Sequence, residues 1–154
     1  MRRRPVPLAV WIAVAGLAVV MVLQAVLALL FVRGGQVGWA MYAFAALLYA
    51  LLLVGLVGGS RLAWLWGRYI TIILGVVVTA AVISGYLRQQ AGLLALALSL
   101  LGIAAPLFMV GVALGRPSAY AFYDLVCPNC GARTGRGADH LFRQARCRSC
   151  LTVW

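Results

Sequence analysis

The chain has 154 residues, of which 66% are hydrophobic, and its mean hydropathy is +1.05. Soluble domains are roughly 45 to 50% apolar, so the composition excludes an ordinary soluble domain and predicts a membrane protein. The formal net charge is +11, every basic residue is arginine, and Asp124 and Asp139 are the only acidic residues.

Four long apolar stretches fill the first 115 residues, at positions 8–32, 37–57, 69–87 and 91–114. Each approaches or exceeds the length of about 20 residues that a helix needs to cross a hydrocarbon core of roughly 30 Å. Backbone groups in lipid must be hydrogen-bonded within their own segment, so these stretches are predicted to be helices. Residues 1–115 are therefore expected to form an all-α polytopic domain of four transmembrane helices, arranged as two antiparallel hairpins because the breaks are short.

The arginines predict the orientation of this domain. With the N-terminus inside, eleven arginines lie on the inner side, and the outer loops carry only Arg33 and Arg88. Basic residues next to short loops stay in the cytoplasm, so both termini are expected to be cytoplasmic. The lysine-free, alanine- and glycine-rich composition is typical of GC-rich bacterial genomes and favours a bacterial cytoplasmic (inner) membrane. The basic N-terminus is interpreted as part of the first helix, because its apolar run is too long for a signal peptide.

Polar side chains are rare in the spans, and none of the four contains Asp, Glu, Lys, Arg or His. Ionisable groups mark proton relays and ion paths, so their absence disfavours a pump or a proton-coupled transporter. Small residues at helical spacing, such as Gly111 with Gly115 and Ala81 with Gly85, predict close helix contacts. Pro106 is expected either to kink the last helix or to be accommodated by it.

All four cysteines lie in the last 28 residues, as two C-x-x-C pairs with sixteen residues between them: Cys127, Cys130, Cys147 and Cys150. In a reducing compartment, such a pattern favours metal binding over disulfides. Two C-x-x-C turns supply the four tetrahedral thiolate ligands that Zn²⁺ prefers. Residues 116–126 are predicted to be a juxtamembrane linker, whose Tyr120, Phe122 and Tyr123 either rest among lipid headgroups or pack on the cysteine segment.

The C-P-N-C-G motif at residues 127–131, followed by Cys147 and Cys150, resembles the zinc-ribbon family. The resemblance covers residues 127–154, which we call the cysteine module, and implies a small β fold around one structural Zn²⁺. The second turn, C-R-S-C-L, departs from the family pattern because it lacks proline and glycine. The segment HLFRQARC alternates as a strand does, and its His140 is interpreted as a polar strand residue, with metal ligation as the alternative.

The sequence favours a structural metal over a catalytic one. No nucleophile with a base, no paired carboxylates and no phosphate-binding loop is present, so we expect no enzyme activity and no catalytic residue. We expect a membrane protein whose cytoplasmic module acts as a docking or regulatory surface, as in an accessory subunit of a membrane complex. Its partner is expected to be another protein, and the chain could also form a homo-oligomer. A small channel, transporter or lipid-handling protein gated by the module, and a redox or rubredoxin-like protein with iron, are the alternatives. Nucleic acid is disfavoured as a partner, because four thiolates offset part of the module's positive charge.

Overall fold

The structure, a computed structural model, describes residues 5–35, 38–88, 92–133 and 146–154. Its helices are, in chain order, α1 (Leu8–Arg33), α2 (Trp39–Val57), α3 (Arg61–Leu87), α4 (Leu93–Ser99), a π-helical turn (Leu100–Ala104), α5 (Ala105–Leu114) and α6 (Pro117–Phe122). The segments from α4 to α5 form one continuous helix, Leu93–Leu114. Four helices are thus long and apolar enough to cross a membrane, which confirms the four long apolar helices expected from the sequence.

Helix α3 begins eight residues before its expected start at residue 69. Ser60 caps it, since its Oγ accepts a hydrogen bond from the backbone N–H of Ala63 at 3.3 Å. A serine in this position satisfies one of the backbone N–H groups that a helix leaves free at its start. Arg61 and Arg68 lower the local hydropathy without breaking the helix, so the apolar run is shorter than the helix that contains it.

Pro106 is accommodated by a change of helix type. Its ring lacks an N–H donor and conflicts with the carbonyl four residues earlier, which belongs to Gly102. Gly102 lies inside the π-helical turn Leu100–Ala104, directly before α5. The wider π turn shifts the hydrogen-bonding register at this point and lets the helix continue past the proline.

Small residues lie at several close contacts between helices. A Cβ atom added at Gly55 of α2 would lie 2.6 Å from the Cβ of Ala63 in α3, and one added at Gly111 would collide with Ile72. These contacts agree with the expectation that small residues allow close packing in lipid. Gly85 differs, since a Cβ added there would meet nothing within 4 Å.

The start of α3 and the end of α5 lie at the same end of the bundle, which we call the module end. Trp64 Nε1–H donates a hydrogen bond of 2.9 Å to the carbonyl oxygen of Leu114. Segment 116–126, expected as a linker, contains α6 and packs here. Tyr123 is buried, and its hydroxyl donates to the Leu56 carbonyl at 3.0 Å. Tyr123 therefore packs on the bundle itself, which neither sequence-based alternative anticipated.

The cysteine module shows two isolated antiparallel bridges and no strand among its described residues. The bridges join Val126 to Arg133 and Arg146 to Val153. The β fold that the sequence analysis expected is thus not seen in this part of the module. The predicted strand HLFRQARC and His140 fall almost entirely in 134–145, outside the described residues.

Candidate metal centre

Four cysteine side chains converge at the C-terminal end of the chain. The Sγ atoms of Cys127, Cys130, Cys147 and Cys150 all lie within 4.8 Å of one another. Cys127 Sγ is 3.5 Å from Cys150 Sγ, and Cys130 Sγ is 3.4 Å from Cys147 Sγ. A tetrahedral ion with metal–sulfur bonds of about 2.3 Å holds its sulfurs about 3.8 Å apart. The cluster therefore has the dimensions of a site that both C-x-x-C turns share, and all four predicted ligands come together in it.

The two turns have the same backbone hydrogen bonds. In the first, Cys127 N donates to Ala132 O at 2.8 Å, and Gly131 N donates to Cys127 O at 3.0 Å. In the second, Cys147 N donates to the Thr152 carbonyl at 2.8 Å, and the residue after the last cysteine donates to Cys147 O at 3.1 Å. Each turn closes on its own first cysteine, so the pair forms two matching halves of one site.

A left-handed residue follows the second cysteine of each turn. Gly131 has φ +71°, and Leu151 has φ +59°. Glycine adopts this conformation without a steric penalty, whereas a residue with a Cβ atom is destabilised by roughly 1–2 kcal/mol. The missing glycine in the second turn thus leaves the turn geometry unchanged and places strain at Leu151.

The sulfur atoms differ in their hydrogen bonds and therefore in their acidity. Hydrogen bonds from the hydroxyl and the backbone of Thr152 lower the pKa of Cys150 to about 6. The backbone N–H of Cys150 lowers the pKa of Cys147. The backbone of Ala132 lowers the pKa of Cys130, but contacts with the other three sulfurs outweigh it and raise that pKa to about 12. Thiolate charge is therefore favoured in the second turn, and a shared cation would extend it to all four sulfurs.

Thr152 links the two turns and was missed by the sequence analysis. Its Oγ1 lies 3.2 Å from Cys150 Sγ and 3.4 Å from Nδ2 of Asn129, which donates to it. The sequence feature that could have indicated this role is a hydroxyl residue two positions after the last cysteine. Its role depends on how the turns face each other, which the cysteine spacing does not specify.

A second group of contacts fixes the module to the bundle. Arg61 Nε donates to the Tyr123 carbonyl at 3.3 Å, and its Nη2 donates to the Asp124 carbonyl at 3.2 Å. From the other side, Trp154 Nε1 donates to the same Asp124 carbonyl at 3.0 Å. Burial raises the pKa of Tyr123, so its hydroxyl stays protonated and remains a donor to Leu56. The first turn of α3 and Trp154 thereby both form hydrogen bonds with the short segment Tyr123–Asp124.

An aromatic cluster lies beside these contacts. The guanidinium carbon of Arg68 is 5.5–5.6 Å from the ring centroids of Trp64, Tyr69 and Tyr120. Arg68 Nη1 also donates a short hydrogen bond to the Tyr120 hydroxyl. Arg133, from the first cysteine turn, lies 4.9 Å from the Tyr120 ring. Tyr120 therefore contacts an arginine of the bundle and an arginine of the module through cation–π interactions.

No family model matches the chain, and no curated protein or solved structure matches it. The likeness to zinc ribbons therefore depends on the motif and on the positions of the cysteines. Four converging sulfurs can bind a metal ion. A tetrahedral set of four thiolates suits both Zn²⁺ and iron, and it leaves no coordination position for water or substrate.

Proposed function

We propose that this chain is an integral membrane protein whose C-terminal module is organised by one structural Zn²⁺ and serves as a docking or regulatory surface for a protein partner. The observation that carries the proposal is the convergence of four Sγ atoms to within 4.8 Å of one another. Four thiolates fill a tetrahedral shell, and filled shells of this kind are structural. A zinc-ribbon fold for residues 127–154 belongs to the same proposal.

The metal supplies most of the stability of so small a module. Apparent zinc-binding free energies of roughly 10–16 kcal/mol are available in small four-ligand peptides, where binding and folding are one process. Contacts of Arg61 and Trp154 with the Asp124 carbonyl then orient the folded module on the bundle. A partner would accordingly meet a surface with a defined position relative to the helices.

The second cysteine turn offers the surface for this partner. Leu151 and Val153 are 61% and 55% exposed, and Arg146 and Arg148 beside them are exposed as well. Leu151 is both strained and exposed, so its side chain has little stabilising role within the described chain. Strain of this kind is characteristic of functional positions. An apolar patch edged by arginines fits a partner surface that is apolar with acidic residues around it.

The charge distribution supports a cytoplasmic position for the module. Six described arginines lie at the module end or on the module, whereas Arg33 and Arg88 are the described arginines at the other end of the bundle. Arginine-rich ends remain in the cytoplasm, where thiols stay reduced and free to bind a metal. This distribution favours both termini inside, and the lysine-free composition favours a bacterial inner membrane.

Site-specific crosslinking in cells tests the docking surface. A photoreactive phenylalanine derivative at position 151 is expected to give a discrete crosslinked product, whether the partner is another protein or a second copy of the chain. The same group at Leu8, which is 74% exposed at the module end, is the matched control. The product should disappear when Cys127→Ser and Cys130→Ser remove two ligands. No product at 151, or an unchanged product in the ligand variant, would contradict the proposal.

Metal analysis of the purified protein separates the structural proposal from the redox alternative. One zinc per chain, with no thiol accessible to a thiol reagent until the metal is chelated, is the expected result. Stoichiometric iron would instead indicate an electron carrier, and a reversible disulfide between the turns would indicate thiol exchange.

A further inference from the structure

A groove opens between α1 and α5 at the module end of the bundle. Its volume is ≈ 450 Å³, which is within the range of sites that bind a small organic molecule. Apolar residues of the two helices, including Ile12 and Val112, form its wall, and Arg116 and Ser118 line the part that lies beyond the end of α5. The groove is thus apolar along the helices and polar at one end.

Helix packing explains why this space is open. A Cβ atom added at Gly16 would lie 2.9 Å from Val110 Cγ2 and 3.2 Å from Met109 Cε, so α1 and α5 are in tight contact there. Closer to the module end, the buried residues that line the groove are Ala9 and Ala113, whose side chains are too small to fill the gap. The groove is a consequence of small residues placed just outside a close helix crossing.

The polar end of the groove carries the positive charge of Arg116. Arg116 is exposed and is the second residue after α5, at the point where the chain leaves the apolar span. Asp124 is the single acidic residue in the part of the chain that the structure describes, and its carbonyl accepts hydrogen bonds from Arg61 and Trp154. A guanidinium and a hydroxyl at the end of an apolar groove match an amphiphile with an anionic head.

We propose that this groove binds one anionic phospholipid. The acyl chain lies along the apolar wall, and the phosphate accepts hydrogen bonds from the Arg116 guanidinium and the Ser118 hydroxyl. A lipid suits the site better than a protein segment does, because the groove belongs to helices that are long and apolar enough to cross a membrane, and 64% of Val112 is exposed there. The proposal is independent of the docking function assigned to the cysteine module, since none of the module's residues lines the groove.

Lipid titration of the full-length protein in detergent, followed by native mass spectrometry, tests this site. Phosphatidylglycerol and phosphatidylcholine with the same acyl chains are the two probes. The wild type is expected to bind phosphatidylglycerol about tenfold more tightly, because the choline ammonium of phosphatidylcholine offsets the phosphate charge and is repelled by the Arg116 guanidinium. Arg116→Gln should remove that preference, whereas Arg148→Gln, which removes the same charge from the module outside the groove, should change the affinity less than about twofold.

Filling the groove tests the acyl-chain contact separately. Ile12→Trp, or Val112→Phe if the first variant is unstable to heating, should weaken binding of both lipids by about tenfold, and inorganic phosphate should not displace bound lipid. Equal affinity for the two lipids in the wild type would overturn the proposal, as would equal effects of Arg116→Gln and Arg148→Gln. Full lipid binding by a stably folded groove-filling variant would also overturn it.

Discussion

Substitutions at the two left-handed residues of the cysteine turns should change metal affinity in opposite directions. Leu151→Gly removes a Cβ atom from a residue with φ +59°, and Gly131→Ala adds one to a residue with φ +71°. If the turns are equivalent halves of one metal site, the first substitution should strengthen metal binding and the second should weaken it.

The size of each effect follows from two opposing terms. A residue with a Cβ atom is destabilised by roughly 1–2 kcal/mol in the left-handed region, and glycine loses about 0.5–1 kcal/mol more backbone entropy on folding. The net change is about 0.5–1 kcal/mol in either direction, or about two- to fivefold in affinity. Steric clashes do not interfere, because a Cβ atom at Gly131 would meet nothing within 4 Å, and Leu151 is 61% exposed.

Competition with a chromogenic chelator measures the effect on the detergent-solubilised protein at fixed pH. Folding of the module and metal binding are coupled, so the apparent zinc affinity reports the stability of the turns. Leu151→Ala serves as the matched control, because it shortens the exposed side chain and keeps the strained conformation. Its affinity should match that of the wild type within about twofold.

Two results would refute this reasoning. If Leu151→Gly and Leu151→Ala bind zinc equally well, the backbone of Leu151 is not strained in the folded site. If Gly131→Ala binds as tightly as the wild type, the first turn does not require a left-handed residue. Either result would remove the equivalence of the two turns.

The metal ligands, the Asp124 contact and the buried tyrosine give three further predictions. Lowering the pH from about 8 to about 6 should weaken zinc binding by at least about tenfold, because protons compete with the metal for thiolate ligands. Chelator competition at each pH measures the zinc affinity. A constant affinity would exclude thiolates as the metal ligands. Trp154→Phe removes the donor to the Asp124 carbonyl and should raise the rate of amide hydrogen exchange in the module, by an amount that corresponds to about 1 kcal/mol of opening free energy. Trp66→Phe, at an exposed site, should leave the exchange rate unchanged. Equal exchange in both variants would contradict the anchoring role of Trp154. Tyr123→Phe leaves the Leu56 carbonyl without its hydroxyl donor and should lower the free energy of unfolding by about 1–2 kcal/mol, seen as a lower melting temperature in detergent; an unchanged melting temperature would argue against the buried hydrogen bond.

The four long apolar helices were predictable, because a bilayer sets the length of apolar sequence that a crossing helix needs. Apolar length alone located all four helices, since that constraint does not depend on tertiary contacts. The start of α3 was missed for a physical reason. Arg61 and Arg68 lower the hydropathy of the first two turns, but the Ser60 cap and the contacts of both arginines with the segment after α5 keep those turns helical.

The cysteine ligands were predictable from spacing, because a C-x-x-C turn brings its own two sulfurs together and two turns complete a tetrahedral shell. The supporting residues were not. Arg61 and Trp154 both donate hydrogen bonds to the Asp124 carbonyl, although they lie 63 residues before it and 30 residues after it in the sequence. The left-handed conformation of Leu151 was also hidden, since the fold of the turn overrides the preference of leucine.

X-ray absorption at the zinc edge, on protein purified from membranes without added metal, tests the central claim most directly. We predict one zinc per chain with four sulfur neighbours at about 2.3 Å and no nitrogen or oxygen neighbour. A chain that folds with no metal, or with Cys127, Cys130, Cys147 and Cys150 joined in disulfides, would contradict the account.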